Sequence, residues 1–235
     1  PFHSVEKYLA RLVQKGHKVA LCDQVEDPKL AKGLVKREVT RILSAGTLME
    51  DSMLQAGDNN FLAAVCLLDG KAGLAMLDPS TGEFLVTEIE GPQVAERLLQ
   101  EIARLRPSEL LTSEDEKEIG RIAGESLGVS VTEGSRISLD RAERLLLKHF
   151  EVSHLQGYGV EGRSGAVTAA SMVLEYAKSH GLSLAHVDAV SFYSVDGFMK
   201  LDPATRRSLE LTSNIADGSR RYTLIEVLDE TVTSM

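Results

Sequence analysis

Long apolar runs are missing from this sequence. None of its stretches approaches the roughly 20 residues that a membrane-spanning helix requires, and the opening Pro1-Phe2-His3-Ser4-Val5-Glu6 is not a secretion signal. Cysteine is scarce. Cys22 and Cys66 each sit in a short apolar run without a CxxC partner, so we expect two small core hydrophobes in a reducing compartment, the cytoplasm. No G-x-x-x-x-G-K-[ST] loop is present to cradle ATP phosphates. The six histidines include neither HExxH nor an i, i+4 pair, and His149 and His154 are read as surface residues rather than ligands. Internal repeats and low-complexity tracts are also absent. The 43% hydrophobic and 26% charged fractions are those of an ordinary folded protein.

What is present is unevenly charged. The net −9 divides into +3 over residues 1–50, −9 over 51–185 and −3 over 186–235. An acidic middle is repelled by a phosphate backbone, so a protein partner is the expectation there and DNA contact is confined to the first segment.

The pattern predicts a helix over 5–15, with Ser4 as its cap and Val5, Tyr8, Leu9, Leu12 and Val13 on its buried stripe, then strands over 18–22 and 36–43. We read these as the tail of an α/β unit. From residue 59 the texture changes to three strands (61–68, 72–77, 83–89) joined by tight turns at Gly70 and 78–82, an antiparallel group. A helix over 94–105, a strand over 109–112, a helix over 114–127 and a strand over 129–132 follow, then helices over 139–150 and 165–180. This is the element order of a ribonuclease H-like three-layer domain with a mixed sheet, and also fits other mixed α/β sandwiches. Beyond residue 186 we expect a strand or hairpin over 190–201 turning at Asp196-Gly197, a helix from Asp202-Pro203 to about Asn214 and another from Thr223, too little to form a core alone.

Several stretches, in order, resemble the MutS family. Pro1-Phe2-His3 is similar to the end of its V-P-[YF]-H element, and Leu21-Cys22-Asp23-Gln24-Val25-Glu26-Asp27-Pro28 to its [IV]CEQ[VI]EDP signature. Leu77-Asp78-Pro79-Ser80-Thr81-Gly82-Glu83-Phe84 resembles an opening strand and turn of the family's connector. Leu201-Asp202-Pro203-Ala204-Thr205-Arg206-Arg207-Ser208-Leu209-Glu210-Leu211-Thr212 resembles LDxxTRRNLELT, with Ser208 where Asn is usual. The resemblance implies three parts: the end of an α/β mismatch-recognition domain with its linker (1–57), a ribonuclease H-like connector (58–185), and the start of a helical core or lever domain (186–235). It further implies a parent that binds mismatched duplex DNA, hydrolyses ATP with magnesium, works as a homodimer and passes its signal to a MutL-like protein. The family's Phe-x-Glu wedge precedes V-P-[YF]-H and the ATP motifs are absent, so this stretch is expected to be non-enzymatic, with no cofactor of its own.

Three sites follow for testing. On 139–150, Leu139, Ala142, Leu145, Leu146 and Phe150 can face a core, which turns Arg141, Arg144 and Lys148 outward as a basic row. That row is either a solvated face paired to Glu143 or Glu151 or, with the loop to Tyr158, the surface the resemblance nominates for MutL. His3 and Lys7 are the candidates for contact with DNA phosphates. The rival readings are a weak DNA-binding module acting through residues 1–50 and a divalent-metal nuclease, but the carboxylates of the latter are poorly supplied: 61–68 has no acid before Asp69, and Glu96 and Glu101 fit a solvated helix face. The Asp78–Gly82 turn reads as structural. Residues 46–59 and 179–185 are expected as hinges or ordinary linkers.

Overall fold

The stretch 61–68 is apolar throughout, so a strand there has to be covered on both faces. The computed structural model, which describes residues 5–26, 33–49, 54, 59–197, 199, 201 and 203–231, provides that cover. Strands β3 (Leu62–Leu68), β4 (Lys71–Leu77) and β5 (Phe84–Ile89) form an antiparallel meander in the middle of a six-stranded sheet. β6 (Glu109–Thr112) runs parallel to β3, β7 (Ser130–Glu133) parallel to β6, and β8 (Ser191–Phe192) parallel to β5, giving the order β7-β6-β3-β4-β5-β8. Parallel neighbours need a crossover. Helices α2 (Val94–Leu105) and α3 (Lys117–Leu127) supply two of them and cover one face, while α4 (Leu139–Phe150) and α5 (Ser164–Ser179) cover the other. Alternation along β3 sends Leu62, Ala64 and Cys66 into the α4–α5 layer and Ala63 and Val65 into the α2–α3 layer. The protein is thus an α/β fold with a mixed sheet, as the element order predicts.

Two glycines set how closely α5 lies on the sheet. A Cβ on Gly73 of β4 would stand 2.0 Å from the carbonyl carbon of Gly165 in the first turn of α5. Buried Glu88 of β5 then accepts the amides of Gly165 (2.8 Å) and Ala166 (3.3 Å), satisfying donors that the start of a helix leaves without partners. The 78–82 turn is built by buried Asp78, whose carboxylate accepts from the amides of Asn60 and Ser80 (2.8 Å each) and from Ser80 Oγ (2.6 Å), with Gly82 at φ +82°.

Ahead of this sheet, α1 (Val5–Gln14) packs on a hairpin of β1 (Val19–Gln24) and β2 (Arg37–Leu43) around a small cluster of Leu9, Val13, Leu43 and Leu48. Of the stripe expected on α1, Leu9 and Val13 are buried, whereas Val5, Tyr8 and Leu12 are exposed.

Several expectations need correction. Cys66 is buried, and burial pushes its thiol up to about 11, but Cys22 is exposed, because it lies on a hairpin strand whose outer side is not covered by any second layer among the described residues. Among the described residues, 190–201 contributes no hairpin. The strand alternative is met only by Ser191–Phe192, which joins the main sheet, and a 3-10 turn follows at Val195–Gly197 where Arg97 engages Asp196. Helix α6 (Pro203–Ser208) ends well before Asn214: Glu210 turns left-handed at φ +46°, its carbonyl accepts from Leu224 and its side chain from the Ile215 amide at 2.7 Å. The last helix, α7 (Leu224–Leu228), starts at Thr223 as read. Of the stretches expected as hinges or ordinary linkers, most of 46–59 lies outside the described residues, and the described glycines at 46 and 181 are closely packed. A Cβ on Gly46 would meet Glu109 Cβ at 2.9 Å, and one on Gly181 (φ +82°) would meet the Thr40 carbonyl oxygen at 2.7 Å.

Candidate docking surface

Ser138 precedes α4 in an extended conformation, Asp140 stands in its first turn, and Lys148 and His149 stand in its last, a charge order that suits the helix dipole. Ala142 and Leu146 are buried, and Leu139, Leu145, Leu147 and Phe150 pack half-buried against the α5 layer. That packing turns Arg141, Arg144 and Lys148 to solvent, all exposed as the spacing requires. Their partners are not those considered from sequence. Arg141 reaches across to Glu175 of α5 rather than pairing with Glu143 or Glu151. Arg144 and Lys148 make no ion pair among the described residues, so two of the three cations are uncompensated.

A fourth cation completes the patch. Lys178 of α5 places Nζ 3.0 Å from Nδ1 of His149, and its pKa is pushed down by burial and by the nearby charge of Lys148. His149 is half-buried, edge-on to Phe150 with ring centroids 4.9 Å apart, and burial followed by the Lys178 charge holds its pKa below the usual imidazole range. The surface reading therefore holds for His154, which is exposed, and only partly for His149. Lys178 was not legible beside the α4 row, since nothing in the spacing says which side of α5 flanks α4.

Tyr158 ends a 3-10 turn, Gln156–Tyr158, and is half-buried, its ring 4.9 Å from that of Phe150. It forms the rim of the core under α4, at the end of the helix away from Arg141. Between α4 and the loop into α5 lies a cavity of about 220 Å³, lined by Glu143, Leu147, His154, Val160, Arg163 and Val167. The face thus presents cations on the helices, an aromatic rim and a shallow recess. The cations would fit an acidic protein surface, and the recess beside them has a mixed polar and apolar lining.

The other candidate residues do not come together. His3 lies outside the described residues; Lys7 lies on α1, and its side chain is likewise outside them. Asp69 and Glu96 are exposed. Glu101, expected on a solvated face, is buried and held by Arg104 and by Tyr193 Oη at 2.9 Å, because the chain after β8 returns over α2 and covers it. Among the described residues no three His, Cys, Asp or Glu side chains are grouped to hold a metal ion. No described helix is long and apolar enough to cross a membrane.

Two family models match this sequence: MutS domain I over residues 1–52 and MutS domain II over residues 60–188. Curated relatives match along the whole chain. The DNA mismatch repair protein MutS of Symbiobacterium thermophilum is 45% identical over 240 residues, that of Syntrophomonas wolfei 40% over 241, and that of Protochlamydia amoebophila 42% over 242. Each alignment covers 100% of this chain but 27 to 28% of the relative, so the chain spans about a quarter of the proteins it matches.

Proposed function

The chain belongs to the MutS family of DNA mismatch repair proteins, and from that premise we propose that it is the connector of such a protein, joining a DNA-binding part to a core and docking a MutL-like protein on the α4–α5 face. The strand order β7-β6-β3-β4-β5, with only β4 antiparallel to β3, β5 and β6, supports a ribonuclease H-like connector. The observation that carries the docking reading is the charge of the face. In a chain of net charge −9, Arg144, Lys148 and Lys178 stand together without carboxylate partners among the described residues. Uncompensated cations of one sign steer an acidic partner and add little to the stability of the fold that bears them. In this reading the stretch is non-enzymatic and cytoplasmic. The complete protein is a homodimer that binds mismatched duplex DNA and uses ATP and magnesium through segments other than this one.

The test is binding of the chain to purified MutL, comparing wild type with Arg144→Glu/Lys148→Glu/Lys178→Glu. We expect affinity to fall about tenfold or more, with the circular dichroism spectrum unchanged. Arg141→Ala should cost less, since Glu175 already engages that side chain. Binding indifferent to the triple reversal overturns the assignment.

A further inference from the structure

Glu109 opens β6 and is only 1% exposed. A carboxylate stripped of water must be answered by donors, and this one is answered from three directions. Its Oε2 accepts the amide of Gly46 at 2.9 Å, and its Oε1 accepts Thr132 Oγ1 at 2.7 Å and Tyr176 Oη at 2.6 Å. These donors belong respectively to the strap leaving the β1–β2 hairpin (residues 44–48), to β7 and to α5. Burial and the Glu109 charge push the Tyr176 phenol above its ordinary range, so it remains a donor near neutral pH.

The strap is gripped from other sides too. Asn60 Nδ2 donates to the Ala45 carbonyl at 3.1 Å, Arg41 Nη2 donates to the Thr47 carbonyl at 3.2 Å, and the hydroxyls of buried Ser44 and Thr47 are 2.9 Å apart. Gly46 lies so close to Glu109 and Leu62 that its missing side chain is what lets the carboxylate reach the amide. Tyr176 serves the hairpin a second time. Lys18 Nζ lies 5.4 Å from its ring centre, the His180 ring stacks on it at 3.9 Å, and the His180 carbonyl accepts the Ile42 amide of β2 at 3.1 Å.

We infer that Glu109 is a latch: it locks the strap, and with it the β1–β2 hairpin, onto the six-stranded sheet, so that the two move as one body. This deepens the linking role proposed above and rests on it, because a rigid arm passes on a displacement at the DNA-binding end that a loose linker would absorb.

The latch is tested by amide hydrogen exchange on the 235-residue chain carrying Glu109→Gln, whose amide cannot accept from all three donors. We expect the amides of the strap and of β2 to exchange about tenfold faster or more, and those of β3 and β4 to change less than about twofold. Unchanged strap exchange, or an acceleration shared equally by β3 and β4, overturns the inference. If Glu109→Gln does not fold, Tyr176→Phe removes one donor and is read in the same way, with about a threefold strap-selective effect expected. Glu109 lies on β6, on neither helix of the docking face, and none of the three reversed cations touches it. MutL binding lost on charge reversal and a latch that fails are therefore separate results.

Discussion

The sheet is joined to its flanking segments in two different ways. On the N-terminal side, the strap and the end of β2 are held by a fully buried carboxylate, by a backbone hydrogen bond from Ile42 to His180, and by two glycines that leave no room for a side chain. On the C-terminal side the sheet ends in a two-residue strand. The contacts beyond it are both apolar and polar: Tyr193 and Val195 pack half-buried on the α2–α3 layer, Arg97 meets Asp196 at 2.8 Å, and Tyr193 Oη donates to the Glu101–Arg104 pair. Past them Leu209, Ile215, Tyr222, Leu224, Val227 and Leu228 are exposed, and α6 and α7 are too short to cover one another. The difference teaches where force would travel. A displacement of the hairpin is handed to the sheet without loss, whereas the C-terminal junction has little buried structure to resist a change of angle.

The largest expected effect comes from the element that both junctions share. Gly73→Ala drives a methyl group into the backbone of Gly165 and Ala166, neither of which can yield, and should cost about 4 kcal/mol or more by urea denaturation, releasing both junctions with the sheet. A cost near zero would mean that α5 does not lie on β4 as described. Gly181→Ala attacks the N-terminal junction alone. It combines a left-handed backbone with a contact to the Thr40 carbonyl, and we expect a loss of about 2 kcal/mol that appears as faster amide exchange in β2 before β3. Arg97→Ala removes the ion pair of the C-terminal junction together with a hydrogen bond to the Glu90 carbonyl, and for a partly exposed pair we expect a loss of about 1 kcal/mol or less in a thermal melt. If Arg97→Ala proved as costly as Gly181→Ala, the contrast between the junctions would disappear.

A smaller effect distinguishes the α4–α5 face from either junction. His149 has its pKa depressed in the folded chain by burial and by Lys178, so between that value and the ordinary value of 6.5 the unfolded chain binds more protons. Stability should therefore be level in this respect above about pH 6.5 and fall as pH drops below it. His149→Gln should remove that part of the acid sensitivity while leaving exchange in the strap unchanged. Identical pH profiles of the denaturation midpoint for wild type and variant would count against the assignment.

Much of this was legible in the sequence because the relevant signals are local. The stripe at 94–105, the apolar run at 61–68 and the turn residues Asp78, Pro79 and Gly82 each fix an element by its own periodicity or turn chemistry, and the elements appear where they were read. The outward row Arg141, Arg144 and Lys148 follows from the same logic. What sequence could not supply is pairing across distance. Glu101 read as solvated because its cover, Tyr193, lies far along the chain, and Lys178 joined the basic face only once α5 was placed beside α4. Glu109 carried no signal at all, since a glutamate at the start of a strand looks ordinary until Gly46, Thr132 and Tyr176 are found around it. Gly46 and Gly181 misled in the opposite direction. Glycine in a polar stretch reads as freedom to bend, and here both mark places where two backbones or a backbone and a carboxylate come too close for any other residue.

The most direct measurement is residue-resolved amide exchange on the unmodified chain. We expect Ile42 and Gly46, on the N-terminal junction, to be protected to within about tenfold of the β3 amides, while the amides of residues 214–228 exchange about a hundredfold faster or more. Exchange at Gly46 and Ile42 as fast as in residues 214–228 would contradict this expectation.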